Sequence, residues 1–153
     1  MILVIGYGNP LCGDDGIGPY AVERLADEES FAEAEYLTLR QLTPELAEPV
    51  SRADVVIFVD AADGGATGEI TCHKLTLSAE PSQTAPGAFT HHVNAAALLE
   101  SARLLYGRYP VAYLFTVAGE NFNLGDSFSP GVESALPLLL DQLKAKISNC
   151  LPG

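Results

Sequence analysis

The segment Val55–Val59 constrains the fold more than any other part of the chain. All five residues are apolar, and every one except Phe58 is β-branched. A strand that is apolar at each position, rather than at every second one, is buried on both faces, as in a parallel sheet covered by helices. Residues Ile2–Ile5 form a second run of this kind. The two runs predict a sheet with helices on both of its faces.

Weaker patterns place three more strands and four helices around these runs. The strands are expected over 35–41, 69–77 and 111–117, and the helices over 16–29, from Thr43 to an interruption at Pro49, over 94–105, and from a Ser129 cap to the end of the chain. The link after Asp60 is too short for a crossover helix, so the fourth strand is expected to run antiparallel to the third. We therefore predict a three-layer α/β/α fold with a five-stranded mixed sheet, as a single domain over residues 1–153.

Charge and hydropathy exclude several classes of partner. The chain has 8 Lys and Arg against 20 Asp and Glu, a net charge of −12. Such a field repels nucleic acid and anionic membrane surfaces. The sequence contains no run of about 18 apolar residues that could span a bilayer. Its three cysteines have no metal-binding spacing and cannot all pair with one another. We expect a cytoplasmic protein that binds neither nucleic acid nor membranes.

Ligands of such sheets bind beyond the carboxyl ends of the parallel strands. This rule selects the loops 6–16, 60–65 and 118–128. The first loop begins like a dinucleotide-binding fingerprint, but Leu11 replaces the third glycine, and Asp14 and Asp15 stand where a pyrophosphate would lie. Nucleotide binding is therefore the weaker alternative.

Two carboxylates and one imidazole are the strongest candidates for a site at this edge. Asp15 opens the first predicted helix, Asp60 ends the most apolar strand, and His91 and His92 precede the third helix. Each also has an ordinary explanation as a helix cap, a turn residue or a solvated loop histidine. Together, two oxygen ligands and one nitrogen ligand suit nickel, zinc or copper and leave coordination positions open.

Five segments of the chain, which include these candidate residues, resemble the hydrogenase maturation proteases in their order and spacing. The similarity covers most of the chain and consists of residues 2–9, 14–18, 58–61, 90–93 and 98–99. The resemblance implies a nickel-binding triad of Asp15, Asp60 and His91. The Thr-His-x-Val pattern and the distance to Leu98 favour His91 over His92.

The resemblance also implies the activity. Such proteins are endopeptidases that remove the C-terminal extension from the nickel-loaded large subunit of a nickel–iron hydrogenase. The partner would be that precursor, and the nickel would be supplied by it rather than held as a resident cofactor. Asp15 and Asp60 are the candidate catalytic residues, with an aspartic-type or a metal-assisted mechanism left open.

One segment departs from the common family pattern. Many members have an Asp-Gly-Gly-Thr-like sequence after the second strand, where this chain has Arg40–Leu46. The segment resembles the variant that serves bidirectional, NAD-linked hydrogenases. We expect it to select the partner, with Arg40, Gln41 and Thr43 as substrate-binding residues. The alternatives to a protease are a non-catalytic nickel-sensing maturation chaperone with the same triad and a nucleotide-binding α/β domain.

Overall fold

A five-stranded mixed sheet organises the fold. The computed structural model describes residues 1–28, 31–77 and 94–151. Its strands are β1 (Ile2–Tyr7), β2 (Ala34–Leu39), β3 (Val55–Asp63), β4 (Ile70–Leu75) and β5 (Val111–Gly119). The order across the sheet is β2-β1-β3-β5-β4, and only the β4–β5 pair among these strands is antiparallel. The predicted mixed sheet is confirmed, with β4 beside β5 at the edge rather than beside β3.

Helices cover both faces of this sheet. They are α1 (Ile17–Glu28), α2 (Ala47–Arg52), α3 (Ala95–Tyr106) and α4 (Pro130–Cys150), with 3₁₀ turns at Gly13–Gly16 and Pro44–Leu46. Successive strand residues point to opposite faces, so Ile2 and Val4 pack with α1 and α4, whereas Leu3 and Ile5 pack with α2 and α3. The three-layer prediction is confirmed.

Two local predictions were wrong. Pro49 does not interrupt the second helix but lies third in α2, within the first turn, where backbone N–H groups have no partner inside the helix. Asp60 does not end its strand, because β3 continues beside β5 as far as Asp63. Pairing with β1 does stop at Val59, so Asp60 is the first residue of β3 beyond that neighbour.

No helix in the part of the chain that the structure describes is long and apolar enough to cross a membrane.

Candidate active site

A cavity of about 690 Å³ lies at the carboxyl edge of the sheet, beyond β1 and β2. Asp15 and Asp60, which the sequence predicted to share a site, both line it. The full set of lining residues comes from five parts of the chain: Tyr7, Gly8, Asn9, Asp15, Arg40, Gln41, Leu42, Asp60 and Asn94. The fold thus brings together acidic, basic and amide side chains that are far apart in sequence.

Asp60 enters the cavity from β3 and is partly buried. Its Oδ1 atom accepts a hydrogen bond from the backbone N–H of Ala61 at 2.8 Å. The pKa of Asp60 is raised to about 6, mainly by burial and to a smaller extent by the negative charge of Asp15. Hydrogen bonds from the N–H of Ala61 and the hydroxyl of Tyr7 act in the opposite direction and limit the rise. Asp60 is therefore a stronger base than an ordinary carboxylate.

Tyr7 orients Asp60. Its hydroxyl donates a hydrogen bond to the Asp60 carboxylate, and its ring stands edge-on to Phe58, with centroids 6.4 Å apart and an 84° angle between planes. Burial, and then the charge and hydrogen bond of Asp60, raise the pKa of Tyr7 well above its ordinary value. Tyr7 is thus a neutral donor at physiological pH. Tyr7 was not among the site residues predicted from the sequence, although a tyrosine between two glycines at a strand end is a detectable signal.

Asp15 is held by the loop that follows β1. Its Oδ2 atom accepts a hydrogen bond from the backbone N–H of Asn9 at 2.6 Å. The approach requires a glycine at position 8, where φ is +147° and an added Cβ would lie 2.0 Å from the carbonyl oxygen of Asp15. In a phosphate-binding loop such an N–H would face the ligand. Here the backbone N–H of Asn9 donates to the carboxylate of Asp15 instead, which disfavours nucleotide binding.

Asp14 has a structural role instead. It is fully buried, and its carboxylate accepts four hydrogen bonds, from the backbone N–H groups of Glu120 (2.8 Å), Asn121 (3.0 Å) and Ser129 (2.7 Å) and from the Ser129 hydroxyl (2.7 Å). Burial acts to raise the pKa of Asp14, but the donors on Asn121, Glu120 and Ser129 outweigh it and lower the pKa below its ordinary value. Asp14 thereby fastens both ends of the loop after β5. Ser129 is the N-cap residue of α4, as predicted, but its hydroxyl donates to Asp14 and makes no hydrogen bond to the helix.

The three predicted substrate-binding residues are placed differently. Arg40 and Gln41 line the cavity, and both are exposed. Thr43 is not among the lining residues and precedes the 3₁₀ turn that starts at Pro44. The pKa of the Glu45 carboxyl lies below its ordinary value, because the backbone N–H of Glu45 and then the hydroxyl of Thr43 donate hydrogen bonds to it. Thr43 therefore shapes the turn that follows Arg40 and Gln41.

The predicted histidine ligands, His91 and His92, lie outside the residues that the structure describes. Asn94, three residues after His91, lines the cavity and caps α3 by accepting a hydrogen bond from the N–H of Ala97 at 2.7 Å. Asn94 was not among the site residues predicted from the sequence. Among the described residues, no group of three or more His, Cys, Asp or Glu side chains could hold a metal ion.

The carboxylate pair suits a cation. Asp15 and Asp60 each have one oxygen bound to a backbone N–H, which orients the carboxylate and leaves further lone pairs for a ligand. A cation between them would relieve the repulsion that helps raise the pKa of Asp60. A second cavity, of about 580 Å³, lies at the opposite edge, and its Asp54 is already paired with the amino group of Met1. The carboxyl-edge cavity is therefore the candidate active site.

Solved structures of hydrogenase maturation proteases share this fold. The hydrogenase-maturating endopeptidase HybD from E. coli is 25% identical, with a TM-score of 0.71 over 97% of this chain and 92% of that one. The NiFe hydrogenase maturation protease HycI from Thermococcus kodakarensis KOD1 is 21% identical, with a TM-score of 0.73 over 93% of this chain and 88% of that one. A hydrogenase 2 maturation peptidase from a Thaumarchaeota archaeon is 23% identical, with a TM-score of 0.64 over 95% and 97%.

No protein-family model and no curated protein matches the sequence. The likeness to solved structures extends over almost the whole chain, so the fold of this protein matches that of the hydrogenase maturation endopeptidases.

Proposed function

We propose that the protein is an endopeptidase that removes the C-terminal extension from the nickel-loaded large subunit of a nickel–iron hydrogenase. The observation that supports this most directly is the pair Asp15 and Asp60 in one cavity of a fold shared with the E. coli endopeptidase. A peptidase needs groups that orient and deprotonate water beside a peptide bond, and a carboxylate with a raised pKa is suited to that role. The alternative is a non-catalytic maturation chaperone, which would bind the precursor without shortening it.

In the proposed reaction the substrate's nickel is the recognition feature. Asp15 and Asp60 would supply oxygen ligands, and His91, three residues before the cavity-lining Asn94, would supply a nitrogen ligand. Such a donor set distinguishes a loaded precursor from an empty one, because two carboxylates without a cation repel each other.

Asp60 is the better candidate for the general base. In the metal-free protein its pKa of about 6 lies above that of an ordinary carboxyl, mainly because Asp60 is buried. A carboxylate oxygen of Asp60 that does not bind the nickel would accept the proton from water. Tyr7 would hold the carboxylate in place during that transfer. Arg40, the one cation among the cavity-lining residues described, would bind a carbonyl or carboxylate of the docked chain.

The test is incubation of the purified protein with nickel-loaded and nickel-free precursor, followed by intact mass. We expect loss of the C-terminal extension only with the loaded precursor. His91→Ala should abolish processing, and His92→Ala is its matched control in the same segment. Cleavage of the nickel-free precursor would contradict recognition through nickel. An uncleaved loaded precursor that nevertheless binds would support the chaperone instead.

We further propose that the segment 40–46 sets the substrate type and that the substrate is a bidirectional, NAD-linked hydrogenase. Arg40 and Gln41 lie at the cavity, where they can contact the docked chain. Exchange of residues 40–43 for Asp-Gly-Gly-Thr should reverse the preference between NAD-linked and other precursors. If the exchanged protein keeps its original preference while still cleaving, the segment has no part in selection.

A further inference from the structure

Two leucines are exposed at the carboxyl edge of the sheet, in loops that follow different strands. Leu124, after β5, is 88% exposed, and Leu11, after β1, is 49% exposed. Their loops are joined: the N–H of Gly125 donates to the carbonyl of Leu11 at 2.7 Å, and Cys12 and Gly125 form a parallel bridge. Each leucine precedes one residue of that bridge, so their backbones run next to each other. We call this pair the leucine rim.

The leucine rim stands on a well-fastened frame. Besides the four hydrogen bonds that Asp14 accepts, the N–H of Gly13 donates to the carbonyl of Gly125 at 2.8 Å, and that of Asp14 donates to Asn121 at 2.9 Å. Gly13 has φ +57°, and an added Cβ would lie 2.4 Å from the carbonyl oxygen of Asn121, so the close approach requires glycine. Because this frame is ordered before any partner arrives, the loops lose little conformational freedom on binding.

A short chain of hydrogen bonds connects the leucine rim to the candidate active site. The side-chain oxygen of Asn9 accepts from the N–H of Leu11 at 2.9 Å, and the backbone N–H of Asn9 donates to Asp15 at 2.6 Å. A folded protein that delivers a chain end to Asp15 therefore comes close to the rim.

The charge around the leucine rim indicates what kind of surface fits it. Residues 8–16 and 119–130 contain no Lys, Arg or His, and Glu120 and Asp126 are exposed there. Isolated exposed leucines are common and need no explanation. Two of them on one fixed frame, with carboxylates nearby, match a partner surface that has an apolar socket flanked by Lys or Arg.

We propose that the leucine rim is the point at which the folded large-subunit precursor docks while its C-terminal extension enters the cavity; this rests on the proposed function. An apolar socket on the precursor would receive Leu11 and Leu124, and basic side chains beside that socket would lie against Glu120 and Asp126. The rim thereby contributes to affinity for the precursor and not to the chemical step.

The experiment compares the double variant Leu11→Ser/Leu124→Ser with Leu105→Ser in the full-length protein. Leu105 is 69% exposed, near the end of α3 that lies away from the cavity, so it is a matched control. Calorimetry with nickel-loaded precursor gives the Kd, and intact mass gives the rate of shortening. We expect the rim variant to raise both Kd and KM about tenfold, or about 1.4 kcal/mol. The rate at saturating precursor and the melting temperature should stay at wild-type values, and Leu105→Ser should change nothing.

A charge reversal provides the second measurement. Asp126→Lys should weaken binding several-fold at low salt and less at high salt, because exposed charges are screened. If the precursor is shortened normally and the rim variant binds it as tightly as wild type does, the rim proposal fails while the proposed function stands. If the rim variant loses affinity but even wild type leaves the precursor uncut, the proposed function fails and the docking site stands. If wild type does not bind the precursor, both fail.

Discussion

Asp14 and Asp15 follow each other in one 3₁₀ turn and serve two different regions of the molecule. Asp14 is buried under the loop after β5, where four donors occupy its carboxylate. Asp15 lines the open cavity, where one backbone N–H orients it. The comparison shows that a carboxylate whose lone pairs are used by the protein stabilises a loop, whereas one with lone pairs to spare is available to a ligand.

The largest expected effect separates the two aspartates by activity. Asp15→Asn should lower the rate of precursor cleavage by about 10³-fold, or about 4 kcal/mol in activation free energy, because the amide cannot replace a charged oxygen ligand or a base. Its melting temperature should stay close to that of wild type. Cleavage assays with thermal unfolding of the same samples check this, and near-normal cleavage by Asp15→Asn would remove Asp15 from the site.

The next effect concerns stability. Asp14→Ala removes the acceptor of four donors, of which the two on Ser129 are buried, and should lower the free energy of unfolding by about 3 kcal/mol. For a chain of this size that corresponds to a fall in melting temperature of roughly 6–12 °C. Asp126→Ala, in the same loop but exposed, is the control and should have a small effect. An unchanged melting temperature in Asp14→Ala would mean that the loop is held by other contacts.

The two regions should also respond to pH in opposite directions. The pKa of Asp14 is lowered on folding, so its stabilisation is present above the unfolded value of about 3.9 and is lost as pH falls through the lower folded value. The pKa of Asp60 is raised to about 6, so its contribution favours folding below about pH 4 and is lost as pH rises through about 6.

Denaturant unfolding of metal-free protein between about pH 3 and pH 8 tests this sign. The free energy of unfolding of wild type should exceed that of Asp14→Asn by an amount that increases with pH at the acidic end of this range. The stability of wild type minus that of Asp60→Asn should decrease between about pH 4 and pH 7. Parallel curves for the two differences would contradict the assignment.

The smallest effect tests the positioning of Asp60. Tyr7→Phe removes the hydroxyl that donates to Asp60 while retaining the ring against Phe58. We expect kcat to fall about tenfold, or about 1.4 kcal/mol, with KM little changed. Tyr106→Phe, on the exposed end of α3, is the control. If KM rises and kcat stays the same, Tyr7 contacts the substrate rather than positioning the base.

Much of the architecture could be predicted because it depends on local patterns. The continuous apolar runs at Ile2–Ile5 and Val55–Val59 identified the central strands, and the short link after Asp60 identified the antiparallel one. The predicted carboxyl-edge location of Asp15 and Asp60 followed from the apolar runs that precede them in the sequence, and both residues line one cavity. The roles of His91 and nickel stay predictions.

Other features could not be predicted because they depend on partners distant in sequence. The donors that bind the carboxylate of Asp14 lie more than a hundred positions away in the sequence; Ser129, for example, is 115 residues away. The extension of β3 to Asp63 arises because β5 continues beside it after β1 has ended. Pro49 also fits into α2 because it falls in the first turn of a helix that starts later than expected.

By itself, then, the amino-acid sequence determined which segments are strands and helices, which edge of the sheet bears the acidic residues, and how strongly negative the protein is. Those properties follow from hydrophobic periodicity and residue charge, which each segment possesses before it meets another. Only the tertiary structure decided which donors bind the carboxylate of Asp14, that Tyr7 holds Asp60, and that Leu11 and Leu124 share one frame. Side-chain direction at a loop is set by the donors and the space that other segments bring to it, and those exist only after the chain has folded.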